Sequence, residues 1–231
     1  MKVMLAVTLG DVLMGKTEAE QKFEEYHKYL RQEAIRLVSH IKLYQRLHEL
    51  RAERLDEMNI APAFFQVVVD ALFSTIVLWT HKMFDEKSER GLTNFLTFCE
   101  YNLKIFKLEE LKRRKNYPED HWILKDRKPI TLETINDDRE LIRKLEALPS
   151  FKLQRDKFHA HFDKEYFFDR KKLAEEAPLR QSDLTQVVDA MKNIINGYSA
   201  DYDGNLYVLE PINVTDVNYL LYRHRHKKRN C

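Results

Sequence analysis

The sequence contains little glycine and little proline. Its 231 residues include 5 Gly and 6 Pro, whereas 33% of the residues are charged. Helices need neither the positive φ angles that glycine adopts nor the breaks that proline imposes, so this composition predicts an all-α protein and argues against an all-β one. The length fits one domain with appendages.

Cysteine and cofactor-binding motifs are also scarce. Cys99 and Cys231 lie far apart and have neither the spacing of metal ligands nor that of a disulfide framework. We therefore expect a cytoplasmic protein in a reducing environment, without a metal or another cofactor. The sequence has no Gly-rich phosphate loop and no His-x-x-x-His motif with a third ligand, which argues against nucleotidyl transfer and metal-dependent hydrolysis.

Long uninterrupted hydrophobic runs are missing as well. The first eleven residues include a short apolar run without a clear cleavage site, so no signal peptide is predicted. Residues 60–79 approach the length of a membrane span, but Gln66, Asp70 and Ser74 place a polar stripe along that helix. Such a stripe is typical of a core helix with one wet or paired edge, so we expect no membrane span.

Apolar residues recur every three or four positions over most of the chain, which predicts amphipathic helices. The first predicted helix is longer than is usual, so it either breaks once or packs on something else, such as a second copy of the chain. The predicted helices cover residues 18–56, 62–84, 92–114 and 131–148, followed by a fifth capped by Ser150 and a sixth from Ser182.

The helices suggest three regions: an N-terminal segment (1–16), a helical domain (17–202) and a small C-terminal appendage with a basic tail (203–231). Residues 170–178 are predicted to be a polar connector. Residues 206–222 are compatible with either a strand or a short helix.

One stretch, residues 154–163 with the sequence QRDKFHAHFD, contains the candidate chemistry. Arginine is a permanent cation whose planar fork matches a phosphate, and histidine exchanges a proton near neutral pH, so Arg155 and His161 suffice for phosphodiester chemistry. The alternative is structural: Arg155 pairs with a carboxylate of another helix, and His161 is a satisfied interhelical histidine. In an α-helix Arg155 and His159 share a face, while His161 lies about 120° around the helix from Arg155. One straight helix would therefore hold Arg155 and His161 apart, whereas a cleft between two facing copies would bring together the Arg–His pairs of both copies.

This stretch resembles the signature of the HEPN superfamily, and in its fuller form the abortive-infection Abi U branch. Residues 72–85 (LFSTIVLWTHKMFD) and 92–96 (LTNFL) resemble the same branch. The resemblance implies a dimeric bundle of about five to six helices and, in active members, a metal-independent endoribonuclease serving as a toxin or antiviral effector. It also implies that Arg155 and His161 form the catalytic pair, with Asp156 beside the arginine. Some toxin members have a tyrosine two residues after the histidine. Position 163 here is Asp, so the regulation through that tyrosine is not carried over to this chain.

If the pair is active, His161 moves a proton, Arg155 holds the phosphate, and Asp156 orients one of them. The alternative is a non-catalytic HEPN-fold module that binds RNA or protein. Further RNA contacts are expected from Lys157 and His159 and from the basic tail, although the tail can equally be a solvated terminus. The tail candidates are Arg223, Arg225, Lys227, Lys228 and Arg229. Expected partners are RNA, a second copy of the chain, and an antitoxin or other defence-system protein. His81 is interpreted as structural, with a place beside the same cleft as the alternative.

Overall fold

The computed structural model describes residues 15–125, 127–159, 163–164, 166, 169–211 and 213–221, which form helices and connecting segments without a strand. Short 3-10 turns lie at Leu103–Phe106 and Trp122–Leu124, and a π-helix lies at Arg155–His159. The α-helices are, in order, α1 (Glu18–Glu53), α2 (Leu55–Met58), α3 (Pro62–Phe84), α4 (Leu92–Tyr101), α5 (Leu108–Lys115), α6 (Leu132–Arg143), α7 (Leu148–Gln154), α8 (Arg170–Glu176) and α9 (Gln181–Asp203), and residues 216–221 are helical as well. The expected all-α class is confirmed.

The core lies where α1, α4 and α9 meet. Phe23 of α1 stands edge-on to Phe106, with ring centroids 5.3 Å apart, and Phe95 of α4 does the same to Tyr198 of α9 at 5.2 Å. All four side chains are almost completely buried. Edge-to-face aromatic pairs add to the burial of their apolar surface, so this cluster joins the helices into one body.

The buried carboxylate of Glu20 connects the start of α1 to α5. Glu20 accepts a hydrogen bond from the Thr17 amide at 2.8 Å, and the Thr17 hydroxyl accepts one from the Glu20 amide, which together form a capping box. The same carboxylate accepts hydrogen bonds from Arg113 and, at 2.8 Å, from Arg114. Burial alone would raise the pKa of Glu20, but the hydrogen bonds from Arg114, Thr17 and Arg113 outweigh it and lower this pKa to about 2.

The first predicted helix, 18–56, breaks once near its end: α1 runs for 36 residues, and Arg54, with φ −142° and ψ 42°, separates it from α2. The α1 helix runs beside α3, where the Trp79 indole donates to Glu33 of α1 at 2.5 Å. Beyond the C-terminal end of α3, just before α4, Tyr26 of α1 donates to the Gly91 carbonyl at 3.1 Å. The length of α1 is therefore used within the chain, because its middle and first turns contact α3 and the start of α4.

Burial along α3 is uneven. Its C-terminal half is in the core, with Ile76 and Val77 fully buried, whereas Phe64 and Val67 near its start are 59% and 66% exposed. By length and composition α3 is able to cross a membrane, and 22% of its most hydropathic 18-residue window is buried. One such helix is weak evidence for a membrane protein, since core helices of soluble proteins pass the same test.

The single helix predicted over residues 92–114 is wrong in one respect, because it is divided into α4 and α5. Asn102 leaves helical geometry with φ −123° and ψ 29°, and its side chain donates to the Phe98 carbonyl at 2.8 Å. The 3-10 turn that follows directs Ile105 and Phe106 into the core. An asparagine side chain competes with the backbone for hydrogen bonds, which explains why the helix is interrupted at this residue.

The helix predicted over residues 131–148 ends earlier, at Arg143, and Ser150 does not cap the next one. The next helix, α7, begins at Leu148 with Pro149 in its first turn. Proline is favoured in a first turn, where its missing N–H costs no hydrogen bond. The predicted polar connector at 170–178 is also wrong, because it contains α8. Asp169 caps this helix, since its side chain accepts from the Lys172 amide at 3.0 Å.

The C-terminal appendage packs back on the helical domain. The Asn196 side chain of α9 pairs with both backbone groups of Tyr207, at 2.8 and 3.1 Å, and Glu210 bridges Lys42 and Lys192. Helical residues 216–221 bury Val217 and Leu221 against α1 and α3. The segment that was ambiguous from the sequence is therefore irregular at 205–211 and helical from 216.

We expect the substitution Glu20→Gln to lower the free energy of unfolding by about 3 kcal/mol, because it leaves two guanidinium groups facing a neutral amide in a buried position. Glu18→Gln, in the exposed first turn of the same helix, is the control. Chemical denaturation measures both. A loss for Glu20→Gln no larger than that for Glu18→Gln would contradict the stabilising role of the cluster.

The same carboxylate predicts a pH dependence. The pKa of Glu20 is lower in the folded state than its ordinary value of 4.5. The carboxylate therefore contributes fully to the free energy of unfolding above pH 4.5, and this contribution is lost as the pH falls toward about 2. Denaturation between pH 5 and 2 should therefore show a shallower loss of stability in Glu20→Gln than in the wild-type protein. Parallel curves would contradict the lowered pKa.

Candidate active site

The candidate stretch QRDKFHAHFD begins at the junction of α7 and the π-helix at Arg155–His159, and both elements lie against α3. Phe151 of α7 is fully buried, and the Gln154 side chain donates to the Ala177 carbonyl at 3.0 Å. These two contacts hold the end of α7 against the core and α8. A π-helix pairs residues five apart and so has a wider turn than an α-helix, which changes the direction of every side chain in it.

Two neighbours hold the Arg155 guanidinium. Its Nε donates to Asp156 Oδ1 at 2.5 Å, and its Nη2 also pairs with that carboxylate. Its Nη1 lies 3.0 Å from His81 Nδ1 on α3. The Arg155 side chain nevertheless keeps 31% of its surface exposed, so a phosphate from solvent can reach it.

The contact with Arg155 determines the tautomer of His81. A guanidinium has only donors, so His81 Nδ1 accepts the hydrogen bond and the ring carries its proton on Nε2. Burial, and after it the charge of Arg155, lower the pKa of His81, while Asp85 and Asp156 oppose this effect. A neutral histidine beside a fixed cation is therefore part of the site.

Lys157 and Asp163 are joined by an ion pair of 2.9 Å. The Asp163 amide also donates to the Lys157 carbonyl at 3.0 Å, so side chains and backbone both connect the two residues. Lys157 Nζ is 5.8 Å from the centre of the Tyr166 ring, and the Tyr166 hydroxyl donates to Glu176 of α8 at 2.5 Å. Lys157, which was expected to contact RNA, therefore lies between the Asp163 carboxylate and the Tyr166 ring and is partly exposed.

His159, another expected RNA contact, lies against Phe73 of α3, with ring centroids 5.6 Å apart. Phe73 and His81 are eight residues apart, so His159 and Arg155 reach α3 at positions about 12 Å from each other along its axis. His159 also lines a cavity of about 550 Å³ together with Tyr44 and Asp70. The two residues therefore both face α3, as the shared helical face predicted, but they lie in separate environments.

Several predicted site residues lie outside the described residues: His161, of the expected catalytic pair, and the basic tail, Arg223, Arg225, Lys227, Lys228 and Arg229. Arg155 and Asp156 are adjacent as expected, and the structure adds His81 to them. The alternative given for His81, a place beside the candidate stretch, agrees with its contact to Arg155, but the LFSTIVLWTHKMFD patch alone did not show which residue it would face.

Together, Arg155, Asp156 and His81 can bind a phosphate next to an imidazole that carries a proton on Nε2. Arg155 supplies a partly exposed cation, Asp156 holds that cation in place, and His81 supplies a neutral imidazole next to it. A cation held in place by short hydrogen bonds stabilises negative charge that develops on a phosphate without reorganising.

Comparison with known proteins gave one family match. The sequence model of the family HEPN_AbiU2, described as AbiU2, matches residues 20–229. No curated protein and no solved structure matches the chain. The family match includes every described helix except Glu18 and Ala19 of α1.

We expect the substitution Arg155→Ala to raise the pKa of His81, because it removes a neighbouring cation and opens the site to water. A pH titration of the histidine ring signals by NMR, assigned with His81→Gln, measures this pKa. Arg143→Ala, which removes an exposed arginine paired with Glu140, is the control and should leave it unchanged. An unchanged pKa in Arg155→Ala would show that the two side chains do not interact in solution.

Proposed function

The chain belongs to the AbiU2 family of HEPN abortive-infection proteins, and from this membership we propose that it is a metal-independent endoribonuclease of a prokaryotic defence or toxin–antitoxin system. RNA is its substrate and the cytoplasm its compartment. The observation that carries the proposal is the Arg155 guanidinium, which Asp156 and neutral His81 hold at a partly exposed position on the π-helix.

RNA supplies its own nucleophile for this reaction. The 2′-oxygen attacks the adjacent phosphorus, the bond from phosphorus to the 5′-oxygen breaks, and a 2′,3′-cyclic phosphate and a 5′-hydroxyl result. His161 takes the proton from the 2′-hydroxyl or gives one to the leaving 5′-oxygen. Arg155 binds the phosphate oxygens as their negative charge increases, and Asp156 keeps its fork oriented.

His81 contributes to this proposal as a positioning residue. Because its Nδ1 accepts from Arg155, it restrains one end of the guanidinium while the remaining N–H groups stay available to a phosphate. Protonation of His81 would turn this acceptor into a donor and repel Arg155. The lowered pKa of His81 therefore keeps the arginine in place at neutral pH.

We also propose that the protein acts as a dimer and that the exposed start of α3 takes part in the contact. Phe64 and Val67 of α3 are 59% and 66% exposed and lie three residues apart on one face of the helix, and Ile60 in the preceding turn is 48% exposed. Neighbouring exposed apolar side chains mark interaction surfaces in soluble proteins. A second copy of the chain would cover them.

A second candidate function is a binding module without catalysis. It is favoured by one observation: Arg155 already has an ion-pair partner in Asp156 and a hydrogen-bond partner in His81, as a structural arginine does. In this function the site binds RNA or a protein partner such as an antitoxin, and no bond is broken.

We expect His161→Ala and Arg155→Ala each to reduce RNA cleavage by at least about 100-fold, as is typical for the loss of a general acid or base, or of a group that stabilises charge on phosphate. The assay incubates the purified protein with total RNA and tRNA in EDTA and maps the fragment ends. Cyclic phosphates formed in EDTA, and lost in both variants, would support the ribonuclease.

The control for this assay is His40→Ala, which removes a histidine of α1 that bonds the Arg36 carbonyl on its own helix. It should cleave like the wild-type protein, and thermal melting should show that all variants are folded. Equal cleavage by the wild-type protein and folded His161→Ala would contradict the catalytic assignment. RNA binding without cleavage would favour the binding module.

We expect Val67→Asp to convert the dimer into a monomer in light scattering coupled to size-exclusion chromatography, because a buried unpaired carboxylate is costly. Gln66→Asp adds the same charge one residue away, where Gln66 already bonds Asp70 at 3.0 Å, and should remain dimeric. A wild-type protein that is monomeric, or that sediments with lipid vesicles, would contradict this role of α3.

A further inference from the structure

A second cleft lies apart from Arg155, where the start of α1, the end of α5 and the end of α9 meet. It has a volume of about 690 Å³, which is within the range of small-molecule sites. Its wall includes six basic side chains: Lys16, Lys28, Arg31, Arg113, Arg114 and Lys115.

Only three of these six cations pair with a carboxylate. Glu20 pairs with Arg113 and Arg114, and Glu24 pairs with Lys16 at 2.6 Å. The third acid, Asp203, accepts from the Tyr207 hydroxyl at 3.2 Å and from Asn205. Arg113 also pairs with Glu110 at 2.7 Å. Against these four acids the six basic side chains leave an excess of two positive charges within the described part of the chain.

Three of the basic residues, Lys28, Arg31 and Lys115, have no carboxylate within ion-pair distance among the described residues. Lys28 and Lys115 are exposed, whereas Arg31 is partly buried. His27 adds no charge to the cleft, because burial lowers its pKa more than the hydrogen bond from Nε2 to the Ile195 carbonyl at 3.0 Å raises it.

Arg31 is held in place without using its hydrogen-bonding capacity. Its guanidinium stacks on the Tyr207 ring at 3.6 Å from the centre, and its buried Nε has no hydrogen-bond partner in the parts of the chain that are described. Because this Nε has no accessible surface, a ligand can reach only the terminal Nη groups of Arg31. Asn196 holds the Tyr207 backbone on both sides, so the arginine is oriented before any ligand arrives.

We propose that this cleft binds a phosphorylated small molecule of nucleotide size. Its phosphate oxygens accept hydrogen bonds from Arg31, and Lys28 and Lys115 supply further positive charge. A guanidinium with free N–H groups is well suited to a phosphate. The volume of the cleft exceeds what a single phosphate ion fills, which favours an organic phosphate over the free ion.

Isothermal titration of the full-length protein with ATP, AMP, pyrophosphate, inorganic phosphate and adenosine tests this proposal. We expect ATP or AMP to bind, adenosine not to bind, and the affinity to fall as salt rises, since the attraction is electrostatic. Pyrophosphate that binds as tightly as ATP would assign the cleft to a free phosphate anion and overturn the nucleotide-sized ligand. No binding by any of these compounds would overturn the site.

The variants identify where the ligand binds. Arg31→Gln should weaken Kd about tenfold or more, which corresponds to the loss of charge-assisted hydrogen bonds. Lys28→Gln combined with Lys115→Gln changes only exposed side chains and should weaken binding even if Arg31→Gln does not fold. Lys22→Gln, on the exposed side of α1 outside the cleft, is the control. Equal Kd values for wild type, the double variant and the control would overturn the site.

Arg155→Ala separates this site from the candidate ribonuclease site. We expect it to bind ATP like the wild-type protein, because Arg155 is not part of the cleft wall. A loss of ATP binding in this variant would overturn the second site. A single-stranded RNA oligonucleotide that displaces ATP from the cleft at lower concentration than AMP does would also overturn it, in favour of an RNA path.

Discussion

The buried carboxylate of Glu20 is the interaction on which the arrangement of the helices depends. It caps the first turn of α1 and binds both arginines at the end of α5. Arg114 continues the connection to α9, because it donates to the Tyr202 carbonyl at 2.7 Å and lies over the Tyr202 ring. One acid therefore relates three helices whose apolar faces alone would leave their relative positions less defined.

The Arg155 site and the basic cleft share a design in which a neutral or aromatic side chain orients an arginine. His81 accepts from Arg155, and Tyr207 stacks on Arg31. In neither position does that neighbour neutralise the arginine. Arg155 also pairs with Asp156, whereas Arg31 has no carboxylate partner among the described residues and keeps its full charge for a ligand. The charges of Arg113 and Arg114, in contrast, pair with Glu20 inside the fold.

Hydrophobic spacing predicted α1, α3 and α9 well, because long amphipathic helices repeat the same signal many times. It failed where a single residue determines where a helix begins or ends. Asn102 interrupts a predicted helix, Pro149 lies in the first turn of α7, and Asp169 caps α8. For the site, the motif predicted the neighbours Arg155 and Asp156. It could not predict that His81 lies beside them, since that contact spans 74 positions and depends on how α7 packs on α3.

The π-helix at Arg155–His159 has a consequence for how this protein can vary through insertions and deletions. A π-turn contains one residue more than the α-turn it replaces. Losing one residue here would leave a regular α-helix that still packs through Phe151, but each later side chain would turn by about 100°. A change in the number of residues at Arg155–His159 should therefore alter the site more than a substitution of a residue that only packs.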